Sequence, residues 1–248
     1  MRAISLIILL LVFTTSSYSQ IVNIESKRIR DKKEGWLGEA GISFRLLKEV
    51  NTIYALDAFA ELEWKKDRSL FLFLSDYSLI KAGGEKFDNK GFQHIRYNYK
   101  MGPVLRWEAF TQAQFNQVRD IKLRALFGTG PRFKIYDSDK FRLYVASLYM
   151  YEYEALESTP TISRTHRISS YLSLTVDIGK LLLSSTTYYQ PAITDFKDYR
   201  IATQAELEFE IFEELSFITK YRLSYDVFPA PGIPTTSYGL SNGLKLKF

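Results

Sequence analysis

The sequence contains no cysteine. This absence excludes a disulfide framework, a thiolate metal site and a cysteine-linked lipid anchor. Glycine and proline are also scarce, with 13 and 7 residues respectively in a chain of 248, which excludes a collagen-like or low-complexity chain. Histidine occurs only twice, so few residues are available to act as a general base.

The chain also lacks a long apolar run after its first residues, and the run 70–74 has only five members. A membrane-spanning helix needs about 20 apolar residues. The N-terminus carries Arg2, a short apolar run over 3–13 and small residues at Ser17 and Ser19, a pattern typical of a secretory signal peptide. An N-terminal membrane anchor is the alternative. We predict a signal peptide over 1–19, a short periplasmic segment over 20–34 and one β domain over 35–248.

Charge excess is small as well. Removing residues 1–19 takes away one basic residue, Arg2, and lowers the net charge from +5 to +4. This excess is too small to indicate a nucleic-acid partner. No phosphate-binding or dinucleotide fingerprint is present, and Asp88-Asn89 and Asp137-Ser138-Asp139 do not fit an EF-hand. We therefore predict no cofactor and no metal.

Alternation of apolar and polar residues is abundant in the chain, which also contains 17 Tyr and 18 Phe. Apolar residues at odd positions over 201–211 and 215–227 alternate with polar or charged ones. A period of two residues indicates β-strands. With breaks placed at turn residues, we predict twelve strands: 35–47, 51–65, 69–80, 91–101, 104–117, 120–136, 140–154, 164–178, 181–190, 198–211, 215–227 and 236–248.

The predicted connections are unequal. Those after even-numbered strands are short, whereas several after odd-numbered strands are long: 81–90, 155–163, 191–197 and 228–235. Short turns at one end and long loops at the other are typical of an outer-membrane barrel. We predict an all-β fold, an antiparallel transmembrane outer-membrane β-barrel of about twelve strands. A secreted sandwich with an aromatic core is the alternative.

Aromatic residues fall where such a barrel would meet the membrane surface. Trp36, Trp64 and Trp107 lie at the ends of predicted strands on the periplasmic rim, where amphipathic rings are favoured. Because no open sheet edge is tolerable in lipid, the last strand should pair with the first. This pairing would hold Phe248 at the same rim, facing lipid.

Several stretches resemble a known family. They include "YSLIKAGGEKFDNKGFQHIRYNY", "WEAFTQAQFNQ", "LRALFGTGPRF", "STTYYQP" and the closing "SNGLKLKF". These segments are similar to the salt-induced outer membrane protein family (domain of unknown function 481) from about residue 35 to 248. The resemblance implies an outer-membrane barrel with no agreed biochemical activity. The terminal aromatic resembles the signal read by the barrel assembly machinery, and Ser19-Gln20 resembles a Bacteroidetes-type signal-peptide end.

Polar residues share the inward parity of the predicted strands. We expect Glu206 and Glu208 to face Arg222 and Lys220, and opposite charges across a ladder stabilise modestly. The same reasoning places Gln112 and Gln114 opposite Arg124 and Lys122. The full set of predicted lumen-facing residues is His94, Arg96, Arg106, Glu108, Gln112, Gln114, Lys122, Arg124, Arg132, Glu206, Glu208, Lys220 and Arg222.

These charges fit either of two interpretations. Charged rings can set the selectivity of a polar channel. Alternatively, they can form a packed ionic plug, assisted by bulky inward residues such as Phe110, because twelve strands enclose a lumen of intermediate width. The sequence does not decide between pore and plug.

Catalysis is the third possibility. His166 shares its strand face with Ser170, but four strand residues separate them by roughly 13 Å. His94 shares a face with Arg96 and Asn98 without an evident nucleophile. We therefore predict no catalytic residues, although an outer-leaflet lipid-modifying enzyme stays a minor alternative.

The sequence thus favours a small pore or envelope-stress barrel of the bacterial outer membrane, with a plugged barrel acting through its extracellular loops as the alternative. Its predicted partners are membrane lipids, the barrel assembly machinery through the C-terminal strand, and small solutes or ions.

Overall fold

The structure is a computed structural model that describes residues 34–48 and 50–246. The predicted signal peptide, most of the predicted N-terminal segment and Phe248 lie outside the described residues. The elements are β1 (Gly35–Lys48), β2 (Thr52–Lys66), β3 (Ser69–Ala82), β4 (Glu85–Lys100), β5 (Leu105–Asn116), a 3₁₀ helix (Gln117–Arg119), β6 (Ile121–Asp137), β7 (Phe141–Leu156), β8 (Ile162–Ile178), β9 (Leu181–Pro191), β10 (Tyr199–Phe212), β11 (Leu215–Asp226) and β12 (Thr236–Leu246).

All twelve strands belong to one sheet in which each strand pairs with its sequence neighbours, in the order β1 to β12. Every pairing is antiparallel, because each pair of consecutive strands forms a hairpin. The predicted all-β, twelve-stranded antiparallel fold is confirmed. No described helix is long and apolar enough to cross a membrane.

One predicted loop is wrong. The segment predicted as loop 81–90 is mostly strand, because β3 and β4 continue to a tight turn at Gly83 and Gly84. Both glycines have positive φ, 60° and 91°. Tight hairpins use this conformation because its twist matches that of the flanking strands. The longer loops therefore are 157–161, 192–198 and 227–235, and we call the end of the sheet that carries them the loop end. The opposite end is the turn end.

The two faces of the sheet have reversed polarity compared with a soluble protein. Among described residues, more polar and charged side chains than apolar ones are buried. Large apolar side chains are instead exposed along the other face, as with Phe127, Leu172 and Leu240 at 53%, 48% and 63% exposure. Such an exposed apolar face needs a partner other than water.

The sheet is rolled so that distant strands meet across its inner face. The hydroxyl of Tyr171 on β8 donates to Glu108 on β5, at 2.6 Å. Near the loop end, Glu154 on β7 and Ser237 on β12 line the same cavity. The architecture is therefore that of a barrel with its polar residues inside.

The rolled sheet has one open seam. In the described part of the chain, β1 pairs with β2, β12 pairs with β11, and neither pairs with the other. The predicted contact between first and last strands is thus not present. The inward residues of β12 from 237 to 243 are small, among them Gly239 and Ser241, and Lys245 follows them nearer the turn end.

Candidate functional site in the barrel interior

The interior has two unlike sides. Most inward residues of β3 to β9 are buried, as are Arg200, Ala202 and Glu208 on β10, and we call this the packed side. The inward residues of β1, β2, β11 and β12 are mostly half-buried or exposed, and we call this the open side.

An ionic cluster closes the turn end of the packed side. We call it the Glu108 cluster, and it consists of Arg96, Glu108, Arg132 and Tyr171. The Nη1 atoms of Arg96 and Arg132 donate to the two oxygens of Glu108, at 3.2 and 3.3 Å. Arg132 also stacks on the ring of Tyr144, 4.0 Å from its centroid. Both oxygens of a fully buried carboxylate are thus held by cations, as a buried charge requires.

A second ionic cluster closes the loop end of the same side. We call it the Glu152 cluster, and it consists of Arg124, Glu152, Arg167 and Arg200. Arg167 Nε donates to Glu152 Oε2 at 2.6 Å, and Arg124 and Arg200 bind the other oxygen, Oε1. The surrounding carboxylates, at ion-pairing distance from these arginines, are Glu154, Asp198 and Asp226.

An apolar layer separates the two ionic clusters. Its members are Phe110, Leu126, Ala146, Leu148, Met150, Tyr171 and Tyr188. Phe110 lies directly over Gly128 on β6, where a Cβ atom would be 2.3 Å from the phenylalanine ring. The packed side is therefore filled from end to end, and Phe110 fills it as the sequence suggested.

His94 lies at the edge of this layer, stacked between Phe92 and Phe110 with ring centroids 6.0 and 5.5 Å away. Its Nδ1 is 3.2 Å from Gln112 Oε1. Because the Gln112 amide nitrogen donates to Gln114, the Gln112 oxygen faces His94, and His94 Nδ1 carries the proton. In the neutral ring, this tautomer leaves Nε2 as an acceptor.

A small cavity adjoins His94. About 20 Å³ of it is open to the centre of a water molecule, enough for a single water. His94 Nε2 and Gln190 Oε1 both belong to residues lining the cavity, and neither atom has a described hydrogen-bond partner. Gln190 donates instead to Ser169, at 2.9 Å. The packed side therefore contains a water-sized cavity, with two polar atoms among its lining residues, but no passage.

The open side differs from the packed side in the size of its inward side chains. Along β12 the inward positions from the loop end are Ser237, Gly239, Ser241 and Gly243, followed by Lys245. A Cβ atom at either glycine would meet nothing within 4 Å. On β2, Asp57 and Phe59 are exposed even though β2 has a paired strand on each side. Space therefore remains inside the rolled sheet along these strands.

A second cavity lies at the loop end between the two sides, with about 30 Å³ open to the centre of a water molecule. Arg119, Glu154 and Asp226 line it together with the 229–235 segment. Burial lowers the pKa of Arg119, the positive charge of Arg124 lowers it further, and Asp226 opposes both effects. Arginine nevertheless stays protonated in proteins, so this mouth contains one fixed positive charge beside two carboxyl groups.

The structure divides the predicted lumen-facing residues between the two sides. Buried on the packed side are His94, Arg96, Glu108, Gln112, Gln114, Arg124, Arg132 and Glu208. Inward but less buried are Arg106, Glu206, Lys220 and Arg222. Lys122 is separate from both groups, because it is exposed at a β-bulge between Ile121 and Leu123.

The expected pairing of Glu206 and Glu208 with Arg222 and Lys220 differs from the register in the structure. Glu206 lies opposite Lys220, with 3.7 Å between the charged atoms, but Arg222 lies opposite Gln204. Glu208 instead binds Lys245 on β12, at 3.2 Å.

The register of β5 and β6 also differs from expectation. Gln114 lies opposite Arg124, whereas Gln112 lies opposite Leu126. The bulge that displaces Lys122 shifts this register by one residue, so Lys122 has no partner position on β5.

Sequence reasoning missed the centre of the Glu152 cluster. Glu152, Arg167 and Arg200 all have the inward parity and lie within a few residues of the loop end of their strands. Their shared inward parity and their similar distance from the loop end could have been used to predict the cluster. The sequence pattern does not show that β7, β8 and β10 bring these charges to one point.

The predicted interface aromatics lie together at the turn end. Trp36 and Trp64 are register partners with ring centroids 6.0 Å apart, and Trp36 is 64% exposed. Trp107 on β5 is 45% exposed and donates to Thr129 at 2.9 Å. All three rings lie at the end where β1 begins.

The residues that could hold a metal are few. No group of three or more His, Asp or Glu side chains in the described ranges is arranged to bind a metal ion. His94 faces inward and His166 outward, so the two histidines cannot act in one site.

Comparison with known proteins identifies the family. The model of the family described as "Protein of unknown function, DUF481" matches residues 49–248. The chain belongs to this family. The match agrees with the resemblance noted in the sequence, whereas the salt-induced and Bacteroidetes-type descriptions stay predictions. No curated protein matches this DUF481 chain.

Two solved structures resemble the DUF481 chain. One is described as "NanC porin structure in rhombohedral crystal form", with 8% identity, a TM-score of 0.48 and coverage of 84% of this chain and 100% of the porin chain. The other is described as "Bacterial polysaccharide outer membrane secretin", with 10% identity, a TM-score of 0.45 and coverage of 88% and 87%. Both similarities are too weak to carry a conclusion.

Proposed function

We propose that this DUF481 chain is an outer-membrane barrel that acts as a narrow, porin-like channel for small polar solutes or ions. The location is supported by the outward face, where large apolar side chains are exposed along the strands. Only lipid or detergent can cover such a face continuously around a rolled sheet. The signal-peptide pattern at residues 1–19 supports export.

The proposed path follows the open side. The inward residues of β12 from 237 to 243 are serine and glycine, and Lys220 on β11 is 47% exposed. The packed side cannot conduct, because its ionic clusters and apolar layer leave only a water-sized hole. The channel would therefore have a crescent-shaped cross-section along the open side, with the packed side acting as a fixed plug.

One observation carries this proposal: a Cβ atom at Gly239 or Gly243 would meet nothing within 4 Å. The inner wall of the barrel is unfilled at these positions. The charges beside the path have mixed signs, because Lys220 pairs with Glu206 and Lys245 with Glu208. We therefore expect weak charge selectivity.

A channel also requires a closed wall. We propose that β12 pairs with β1 in the membrane, because each unsatisfied backbone group at an open edge costs several kcal/mol in hydrocarbon. Closure would place Gly239 and Ser241 beside the inward residues of β1, among them Gly41 and Ser43. The lining would then combine the small side chains of β12 with the ring of Phe59, which lies over Gly41.

The test is single-channel conductance of the purified, folded protein in a planar bilayer. We expect discrete conductance steps in the wild type, and a fall of roughly half or more in Gly239→Trp and Ser241→Trp, because the indole fills the path. Leu240→Trp is the matched control, since Leu240 is on the same strand but faces outward. Folded wild-type protein that never conducts, or equal effects of all three variants, would refute the proposed path.

The plugged barrel is the second candidate, and the packed side favours it. There, two ionic clusters and an apolar layer cross the whole interior. In this case the loops 157–161, 192–198 and 227–235 would carry the function. A folded but silent protein, with a phenotype lost when loop 227–235 is shortened, would support this alternative.

We do not propose catalysis. The Nε2 atom of His94 faces a water-sized cavity, and the ring is covered by aromatic rings on both sides. The serine nearest along the strand to His166 on its own face is Ser170, four residues along, roughly 13 Å away. Lipid turnover abolished by His94→Ala or His166→Ala would overturn this view.

A further inference from the structure

A polar group interrupts the apolar outward face at the loop end of β7 and β8. We call it the Arg164 patch, and it consists of Tyr149, Tyr151, Tyr153, Arg164 and His166. Register pairs Tyr153 with Arg164 and Tyr151 with His166. All five side chains lie on the outward face, opposite the buried Glu152 and Arg167.

The side chain of Arg164 is an exposed cation that contacts an aromatic ring. Its guanidinium lies over the ring of Tyr153, 5.9 Å from the centroid. In the described ranges, no carboxylate forms an ion pair with Arg164. Stacking on an aromatic ring orients a guanidinium and leaves its edge donors available.

His166 presents a second donor. The hydroxyl of Tyr149 lies 2.5 Å from His166 Nδ1. When this hydroxyl donates to Nδ1, the ring hydrogen is on Nε2. The rings of Tyr149 and Tyr151 lie 5.8 and 5.3 Å from the imidazole and hold it in place.

The surroundings resemble a lipid interface. On the turn-end side of the patch, the outward residues of β8 include Leu172, Leu174 and Val176, which acyl chains can cover. Beside the patch, the rings of Tyr189, Tyr199 and Tyr225 follow one another at 5.6 and 5.9 Å. Tyrosines at this depth mark the boundary between hydrocarbon and headgroups.

From these contacts we propose that the Arg164 patch binds the phosphate of a lipid headgroup. Arg164 supplies paired guanidinium donors, which match phosphate geometry. His166 supplies a donor through Nε2, and the apolar residues of β8 receive the acyl chains. The proposal rests on the membrane location proposed above, but it does not depend on channel activity.

The test uses the full chain folded in an uncharged detergent and titrated with lipid, with binding followed by native mass spectrometry. The probes are phosphatidylglycerol, a phosphate-free galactosyl diacylglycerol and inorganic phosphate. We expect the wild type to prefer phosphatidylglycerol over the galactolipid by about tenfold, as a charge-assisted contact implies. Inorganic phosphate alone should not displace the bound lipid.

The variant carrying both Arg164→Gln and His166→Gln should lose this preference. Arg68→Gln, which removes an exposed arginine at the turn end, should keep it. The circular dichroism of the β-sheet should be unchanged in both variants, which shows that they fold.

Three results would overturn the proposal: equal binding of the two lipids to the wild type, a preference that survives the double variant, or displacement by inorganic phosphate. The membrane location is tested separately by flotation with vesicles of phosphatidylcholine. Protein that fails to float refutes the location, whereas floating protein without lipid preference refutes only the patch.

Discussion

Replacing Glu152 by glutamine should destabilise the folded protein far more than the same change at Glu206. Glu152 is 2% exposed and binds Arg124, Arg167 and Arg200. Removing one partner of a buried ion pair costs about 3–5 kcal/mol, because the opposite charge stays buried. Glutamine keeps the size of the side chain but removes the charge.

The structure places the effect at the lower end of this range. Each arginine keeps another carboxylate: Glu154 is 3.5 Å from Arg124, and Asp198 is 3.1 Å from Arg167. Arg200 keeps Asp226 at 2.6 Å. We therefore expect Glu152→Gln to lower the free energy of unfolding by about 3 kcal/mol, roughly a hundredfold in the folding equilibrium.

Glu206→Gln is the control. Glu206 and Lys220 are 3.7 Å apart and 31% and 47% exposed. An exposed pair of this kind contributes about 0–1 kcal/mol. The measurement is urea unfolding of the detergent-folded protein, followed by fluorescence of the tryptophans at the turn end. Equal losses in the two variants would show that the Glu152 cluster does not hold the packed side together.

Two further predictions concern the seam and the packing. The chain has no cysteine, so Ser241→Cys combined in turn with Glu39→Cys, Gly41→Cys or Ser43→Cys should give an intramolecular disulfide in one pair if β12 closes onto β1. Leu240→Cys with the same partners should give none, and the absence of any cross-link from Ser241 would refute closure. Gly128→Val should cost about 1–3 kcal/mol, because its Cβ would lie 2.3 Å from the Phe110 ring. Gly243→Ala should change stability by less than about 0.5 kcal/mol, and equal effects of the two substitutions would contradict the division into packed and open sides.

Much of the fold can be predicted from the local sequence pattern. Alternation predicts the strands because each residue's face depends only on its parity, and most strand ends agree with the structure within one or two residues. The exception is β4, which begins at Glu85 rather than 91. The polar run "EKFDNK" carries little alternation, and its strand conformation depends on pairing with β3 across the Gly83-Gly84 turn.

The interior could be predicted only in part. Parity identifies Glu108 and Arg124 as inward, but it does not show that both are fully buried. Burial here depends on contacts across the rolled sheet, such as the one between Tyr171 and Glu108, which are 63 residues apart. Whether one side is filled therefore depends on curvature and side-chain volume, which local sequence does not encode.

The strand order has a consequence for assembly. Because every strand pairs with its neighbours in sequence, the sheet can grow one hairpin at a time, and each new pairing closes only a short loop. The Glu152 cluster joins residues of β6, β7, β8 and β10, so it can form only after the tenth strand has joined. Until β10 joins, Glu152 is bound only by Arg124 and Arg167, and the arrival of Arg200 completes the cluster. A sheet that lacks β10 therefore lacks part of its ionic cluster, and the joining of the two edges becomes the last step.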